Sequence, residues 1–220
     1  MVPDWFHDLI ESADAALAVG LGGAGLLVVL ALALLLGLRH ATDPDHLAAM
    51  GTLVAASGRE PRAAARLGAW WGAGHAATLL AVGLPLVVLQ RELPDGLQHR
   101  LEQLVGVAIV LLGVQALLGA LARRTRAPRS PLQAAGVGVL HGLGGTGAVV
   151  VLLLAQLEPQ QAALALAVFA PATALSMALC SGVAGWALSR PALATATERV
   201  VVPVLGVLAI AFGLGYAGVG

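Results

Sequence analysis

The chain alternates between long apolar runs and short polar breaks. Apolar stretches cover about 15–38, 67–89, 101–122, 132–157, 162–188 and 200–219. Each is near or above the roughly 20 residues that a helix needs to cross the hydrocarbon core of a bilayer. A seventh, shorter run at about 40–56 lies near the lower limit for a span. The polar breaks fall at 57–66, 90–100, 123–131, 158–161 and 190–199. The pattern predicts an all-α, polytopic transmembrane helical bundle of about seven spans, with six to eight compatible with the short run. Pro171 is expected to interrupt the sixth span.

One transmembrane domain, residues 15–220, takes up nearly the whole chain. Ahead of it, residues 1–14 carry Asp4, Asp8, Glu11 and Asp14, with Trp5/Leu9 and Phe6/Ile10 paired at i,i+4. That spacing predicts a short amphipathic helix on the membrane surface. The segment has no basic stretch of the kind that opens a secretory signal peptide.

Composition agrees with the pattern. Hydrophobic residues make up 59% of the chain and charged residues 11%, where a soluble domain carries about 25% charge. The formal net charge is zero, which gives nucleic acid no electrostatic footprint. The single cysteine, Cys180, has no partner for an internal disulfide and reads as a small buried thiol. No P-loop and no His-Glu-x-x-His helix occur. The chain is therefore read as a non-enzyme with no organic cofactor, driven by the membrane potential, an ion gradient or a partner chain.

The arginines orient the bundle. All twelve basic residues are Arg, and nine of them fall in the breaks 57–66, 123–131 and 190–199. The two breaks on the other side hold only Arg91 and Arg100. The positive-inside rule puts the Arg-rich loops in the cytoplasm. The expected location is a bacterial cytoplasmic (inner) membrane, crossed several times. The side of the N-terminus depends on whether 40–56 crosses fully or re-enters.

Against this apolar background, Arg39-His40-Ala41-Thr42-Asp43-Pro44-Asp45-His46 places five ionisable groups within eight residues. Ionisable side chains at membrane depth are expensive and mark functional sites. Imidazole suits Ni, Co, Cu, Zn and Fe, and carboxylates neutralise their charge. On a regular helix His40 and His46 point about 120° apart. Asp43-Pro44 changes that, because it reads as an N-cap followed by Pro at the first helical position. A helix restarting at Asp43 bends the chain and brings His40, Asp45 and His46 round one ion. Asp43 is either a further ligand or a cap, and Arg39 balances charge. Broken helices of this kind are where transporters place ion sites.

These residues resemble the H-x4-D-H signature of the nickel/cobalt transporter family, whose fuller form reads R-H-A-x-D-A-D-H. Arg39, His40, Ala41, Asp43, Asp45 and His46 match it, with Pro44 in place of Ala. Gly74-His75-Ala76-Ala77-Thr78 resembles the family's second motif, a Gly-His followed by small hydroxyl residues. The run Gly138 to Val150 is similar to a third motif in its glycines, lacks its Asp and Glu, and has His141. The resemblance covers roughly residues 37–90. It implies transport of Ni²⁺ or Co²⁺ as the carried ion by a permease without an ATPase domain. Shorter relatives associated with urease or hydrogenase maturation fit the chain's length, which implies a link to nickel-enzyme maturation.

Other histidines fill out the expected site. His75 sits mid-span among small residues and is expected to be a ligand or pathway residue, with Thr78 one turn away. His141 follows Gly138 at the spacing by which His40 follows Gly37, in a segment three spans on, as in an inverted repeat. The expected metal residues are thus His40, Asp43, Asp45, His46, His75 and His141. His7 and His99 are read as solvated, and Trp70 and Trp71 as an aromatic belt. The expected partners are a divalent metal ion and the lipid bilayer, and the sequence leaves a homo-oligomer open. Two alternatives to uptake remain: an accessory subunit that senses or delivers metal without transporting alone, and an efflux permease.

Overall fold

A computed structural model describes residues 25–56, 60–91, 94–121, 130–142, 150–151, 153–190 and 200–218. The expected surface helix at 1–14, the start of the first span, most of the Arg-rich breaks at 123–131 and 190–199, and the glycine run 143–149 lie outside them. Every regular element among the described residues is helical. They are α1 (Leu26–His40), α2 (Pro44–Ala56), α3 (Pro61–Thr78), a π turn (Leu79–Gly83), α4 (Leu84–Val88), α5 (Asp95–Leu121), α6 (Pro131–Gly142), α7 (Pro159–Leu188) and α8 (Val202–Tyr216).

Three stretches are long and apolar enough to cross a membrane: Pro61–Val88, Gly96–Gly119 and Pro159–Leu188. The bent pair formed by Leu26–His40 and Asp45–Gly51 makes a fourth if it is one broken span. Val202–Tyr216 is apolar but only 15 residues long. The all-α membrane bundle is therefore present, whereas the expected seven spans depend in part on residues outside the described set.

Burial runs opposite to that of a soluble protein. Large apolar side chains face outward, with Leu27 82% and Leu132 79% exposed. His40, Asp43, Asp45, His46, His75 and His141 are buried. Buried polar groups and large exposed apolar surface are the informative departures from the usual rule. Lipid as the outer solvent accounts for both.

Local chemistry explains the element ends. Glu60 caps α3, accepting from the amides of Arg62 at 3.1 Å and Ala63 at 2.7 Å, with Pro61 at the first helical position. Arg62 and Arg66, expected in a loop, therefore lie on the first turns of α3. Similarly, α5 begins at Asp95, so residues 95–100 are helical rather than loop. The π turn ends two residues before Pro85, which has no N–H for the carbonyl of Ala81 within that turn. Such local widening is one way for a membrane helix to satisfy freed backbone groups. Pro171 does not interrupt its span: α7 is continuous over 30 residues. Its ring lies on the exposed, outward face of the helix, between the buried Ala170 and Ala172.

Small residues set the packing. α3 lies against α6 and α7, α1 against α7, and α5 against α8, while α2 bridges to α8 and α5. Where α5 meets α8, Gly106 and Gly113 face Gly213 and Gly206 backbone to backbone. Close approach of this kind is the usual basis of helix association in lipid. Two apolar clusters flank the ionisable groups. One is built on Val29, Leu79, Leu166 and Phe169, the other on Leu67, Trp71, Leu112 and Met177.

Candidate metal centre

The centre is built on a break in the chain. α1 ends at His40 and α2 starts at Pro44, with a 41° bend between Leu26–His40 and Asp45–Gly51. Between them the hydrogen bonding tightens. The amide of Thr42 donates to Arg39 O at 2.8 Å and that of Asp43 to His40 O at 3.1 Å, each three residues back. Four-residue spacing resumes where Leu47 N–H donates to Asp43 O at 2.9 Å. The Asp43-Pro44 restart read from the sequence is thus present, because Pro44 cannot supply the N–H that would carry α1 onward.

The bend gathers side chains from four helices. His40 comes from α1, Asp45 and His46 from α2, His75 from α3 and His141 from α6. His40 Nε2 lies 3.1 Å from His75 Nε2. His46 Nδ1–H and His141 Nε2–H donate to the two oxygens of Asp45, each at 3.1 Å. The His40 and His46 ring centroids are 4.3 Å apart, and those of His46 and His141 4.5 Å. Two overlapping candidate ligand sets result. His40, His46 and His75 each offer a nitrogen within 4.8 Å of the others, and so do the ligand atoms of Asp45, His46 and His141. His46 belongs to both.

The bond to Asp45 fixes His46 with its proton on Nδ1, leaving a lone pair on Nε2. That Nε2 is buried and has no hydrogen-bond partner among the described residues, and the same is true of His75 Nδ1. An unsatisfied buried polar atom costs about 1–3 kcal/mol. The lone pair on His46 Nε2 is one that an electron-pair acceptor would stabilise. The 3.1 Å separation of the His40 and His75 nitrogens fits that role as well as it fits an N–H···N bond. Two nitrogens each about 2.0–2.1 Å from one ion lie roughly 2.9 Å apart at a right angle and about 3.4 Å apart in a tetrahedron.

Asp43 sits one layer out. Its Oδ2 is 3.1 Å from His40 Nδ1, but without hydrogen-bond alignment, and its Oδ1 is 3.7 Å from the half-exposed Arg39. Asp43 thus backs His40 on the side away from His75, and its side chain is not in either ligand set. Thr78 is buried, yet its hydroxyl lies within hydrogen-bond distance of the carbonyls of Gly74 (3.1 Å) and Val139 (3.2 Å), joining α3 to α6. His99 is exposed on α5, next to Gln103 at 3.1 Å. Cys180 packs half-buried beside the Trp71 cluster.

The sequence reading of Trp71 needs correction. Trp70 is 47% exposed, whereas Trp71 is fully buried. Its ring lies 5.5 Å from His46 and 5.9 Å from His141. Phe169, also fully buried, meets His40 edge-on at 5.4 Å. These two aromatic walls were missed. The signal for Trp71 was available: it precedes His75 by four residues and so shares its helix face.

No protein-family model matches the chain, and no solved structure matches it. Among curated proteins it is similar to the urease accessory protein UreH of Bacillus sp. (strain TB-90). The two are 27% identical over 209 residues, covering 87% of this chain and 91% of the relative.

Proposed function

We propose that the chain is a membrane permease for a divalent transition-metal ion, Ni²⁺ first and Co²⁺ next, carried through the His40–His46–His75–His141 cluster. The observation that carries this reading is the buried Nε2 of His46, without a hydrogen-bond partner among the described residues and held in its ligand tautomer by Asp45. A carboxylate behind a ligating imidazole is the usual arrangement at metal sites. Asp45 plays that part for His46 and His141, while Asp43 adds its charge 3.1 Å behind His40 Nδ1. Two carboxylates balance the two charges of the ion. Mg²⁺ and Ca²⁺ prefer all-oxygen sites, so a nitrogen-rich cluster selects against them. A set of this size also leaves coordination positions for water, which helps release, and a carrier must release what it binds.

The relative's name favours one second reading. It is called a urease accessory protein, not an enzyme, in line with the non-enzymatic reading and with a role in supplying metal to a maturing metalloenzyme. In that reading the chain senses or delivers metal without transporting it alone. Purified protein in liposomes separates the two. Uptake of ⁶³Ni²⁺ without a partner supports the permease, and binding without uptake supports the accessory role. Competition by Co²⁺, Zn²⁺ and Fe²⁺ in the same assay ranks the ions. Placement in a bacterial cytoplasmic membrane with the Arg-rich loops inside belongs to the same proposal.

Two further outcomes are expected. Asp45→Asn keeps the shape but loses the charge and one acceptor oxygen, so His46 and His141 can no longer both be held. Metal affinity should fall about 10- to 100-fold, the usual effect of losing an outer-shell partner, as read by isothermal titration. Uptake at fixed free metal should also fall as pH is lowered. Protons compete for the imidazole lone pairs that bind the ion, so loading must be stronger on the alkaline side of its midpoint. A flat profile between mildly acidic and mildly alkaline buffer would contradict histidine ligation.

A further inference from the structure

We infer that Ser176, on α7, is a positioning residue for the metal centre, acting by anchoring the broken end of α1. The inference rests on the reading of the cluster as a metal site.

In an unbroken helix the carbonyl of Leu38 would accept from the amide of Thr42, four residues on. Here that amide turns to Arg39 O instead, at 2.8 Å. The break therefore takes from Leu38 O its helical donor, in a region where an unsatisfied carbonyl is costly. The hydroxyl of Ser176 replaces it, donating to Leu38 O at 2.6 Å across 138 residues of sequence. Ser176 is buried.

The direction of this bond distinguishes it from the ordinary behaviour of helical hydroxyls, which turn back on their own helix. Thr173 does so to Ala170 O at 2.7 Å, and Ser189 to Trp186 O at 2.8 Å. Ser176 instead crosses to α1. Two neighbouring contacts act on the same turn. At Gly37 a Cβ would stand 2.6 Å from Ala172 Cβ and 2.7 Å from Phe169 O, so only glycine lets α7 come this close. The His40 ring then rests edge-on against Phe169. α7 thus holds α1 at Gly37, Leu38 and His40, and Ser176 supplies the directional contact that fixes where His40 projects.

The test uses the full chain in detergent micelles and two readouts. Amide hydrogen exchange over residues 38–46 of the metal-free protein reports the anchor. Titration with Co²⁺ reports the site, because its visible absorption depends on ligand geometry. Ser176→Ala is expected to speed exchange in this segment at least 10-fold. It is also expected to weaken Co²⁺ binding about 10- to 100-fold, as for loss of an outer-shell partner, with an altered spectrum. Ser176→Thr, which keeps the hydroxyl, should restore both, and the exposed control Ser189→Ala should change neither. Wild-type exchange and a wild-type spectrum in Ser176→Ala would overturn the inference. Should that variant fail to fold, Ser176→Cys, with its weaker donor, takes its place in the same comparison. If the unaltered protein binds no Co²⁺, the metal-site reading fails, and the exchange comparison still decides for or against the anchor.

Discussion

His46→Ala is expected to abolish metal uptake, with binding weakened by more than about 100-fold, while the protein still inserts in the membrane. The size follows from the position of His46 in both ligand sets. Losing an outer-shell partner costs about 10- to 100-fold, and a ligand shared by both sets must cost more. The substitution also leaves Asp45 with His141 as its one hydrogen-bond donor among the described residues. A buried carboxylate with half its partners gone is itself penalised. Uptake of ⁶³Ni²⁺ or ⁵⁷Co²⁺ in membranes, normalised to the amount of inserted protein, checks the result. Normal uptake would remove His46, and with it the central argument for the site. His40→Ala should behave in the same way, since it removes one corner of the three-imidazole set.

Gly138→Ala should produce the largest structural effect of any single methyl group in the described bundle. A Cβ at Gly138 would run into the carbonyl of Trp71, and one at Gly74 into the carbonyl of Ala135. The obstacles are backbone atoms, which cannot rotate away, so α3 and α6 must separate. Overpacking of this type costs about 1–3 kcal/mol even where side chains can adjust. Here separation also carries His75 and His141 away from their partners. A clear drop in melting temperature in detergent, together with weakened Co²⁺ binding, is expected. Gly136→Ala is the control, because open space surrounds that position and Ala is the better helix former. Equal melting temperatures for the two variants would show that the close contact of α3 and α6 is not required.

The all-α bundle and the grouping of buried ionisable residues were both legible in the sequence. Charge in an apolar chain is conspicuous, and His40, Asp45, His46, His75 and His141 stand out because lipid-facing positions cannot hold them. The helix restart at Asp43-Pro44 was legible for a local reason, the absent proline N–H. Whether Asp43 stands beside the histidines or behind His40 was not readable from the sequence, because its place depends on the bend. Trp71 was misread because hydropathy does not distinguish a ring at the interface from one four residues before a buried histidine. Pro171 was taken for a break, whereas the helix runs on through it with the ring on the exposed face. Span ends erred where helices ran on into polar residues, as at Asp95 and Pro61.

The hydrogen bond from His141 to Asp45 joins residues 96 positions apart, and this separation bears on biosynthesis. Chains are synthesised from the N-terminal end, so Asp45 is made well before His141. Until α6 is in place, one carboxylate oxygen of Asp45 lacks its imidazole donor, and the Asp45–His46–His141 group is incomplete. Completion of the centre is therefore a late event in assembly, closed by the insertion of α6 beside α3.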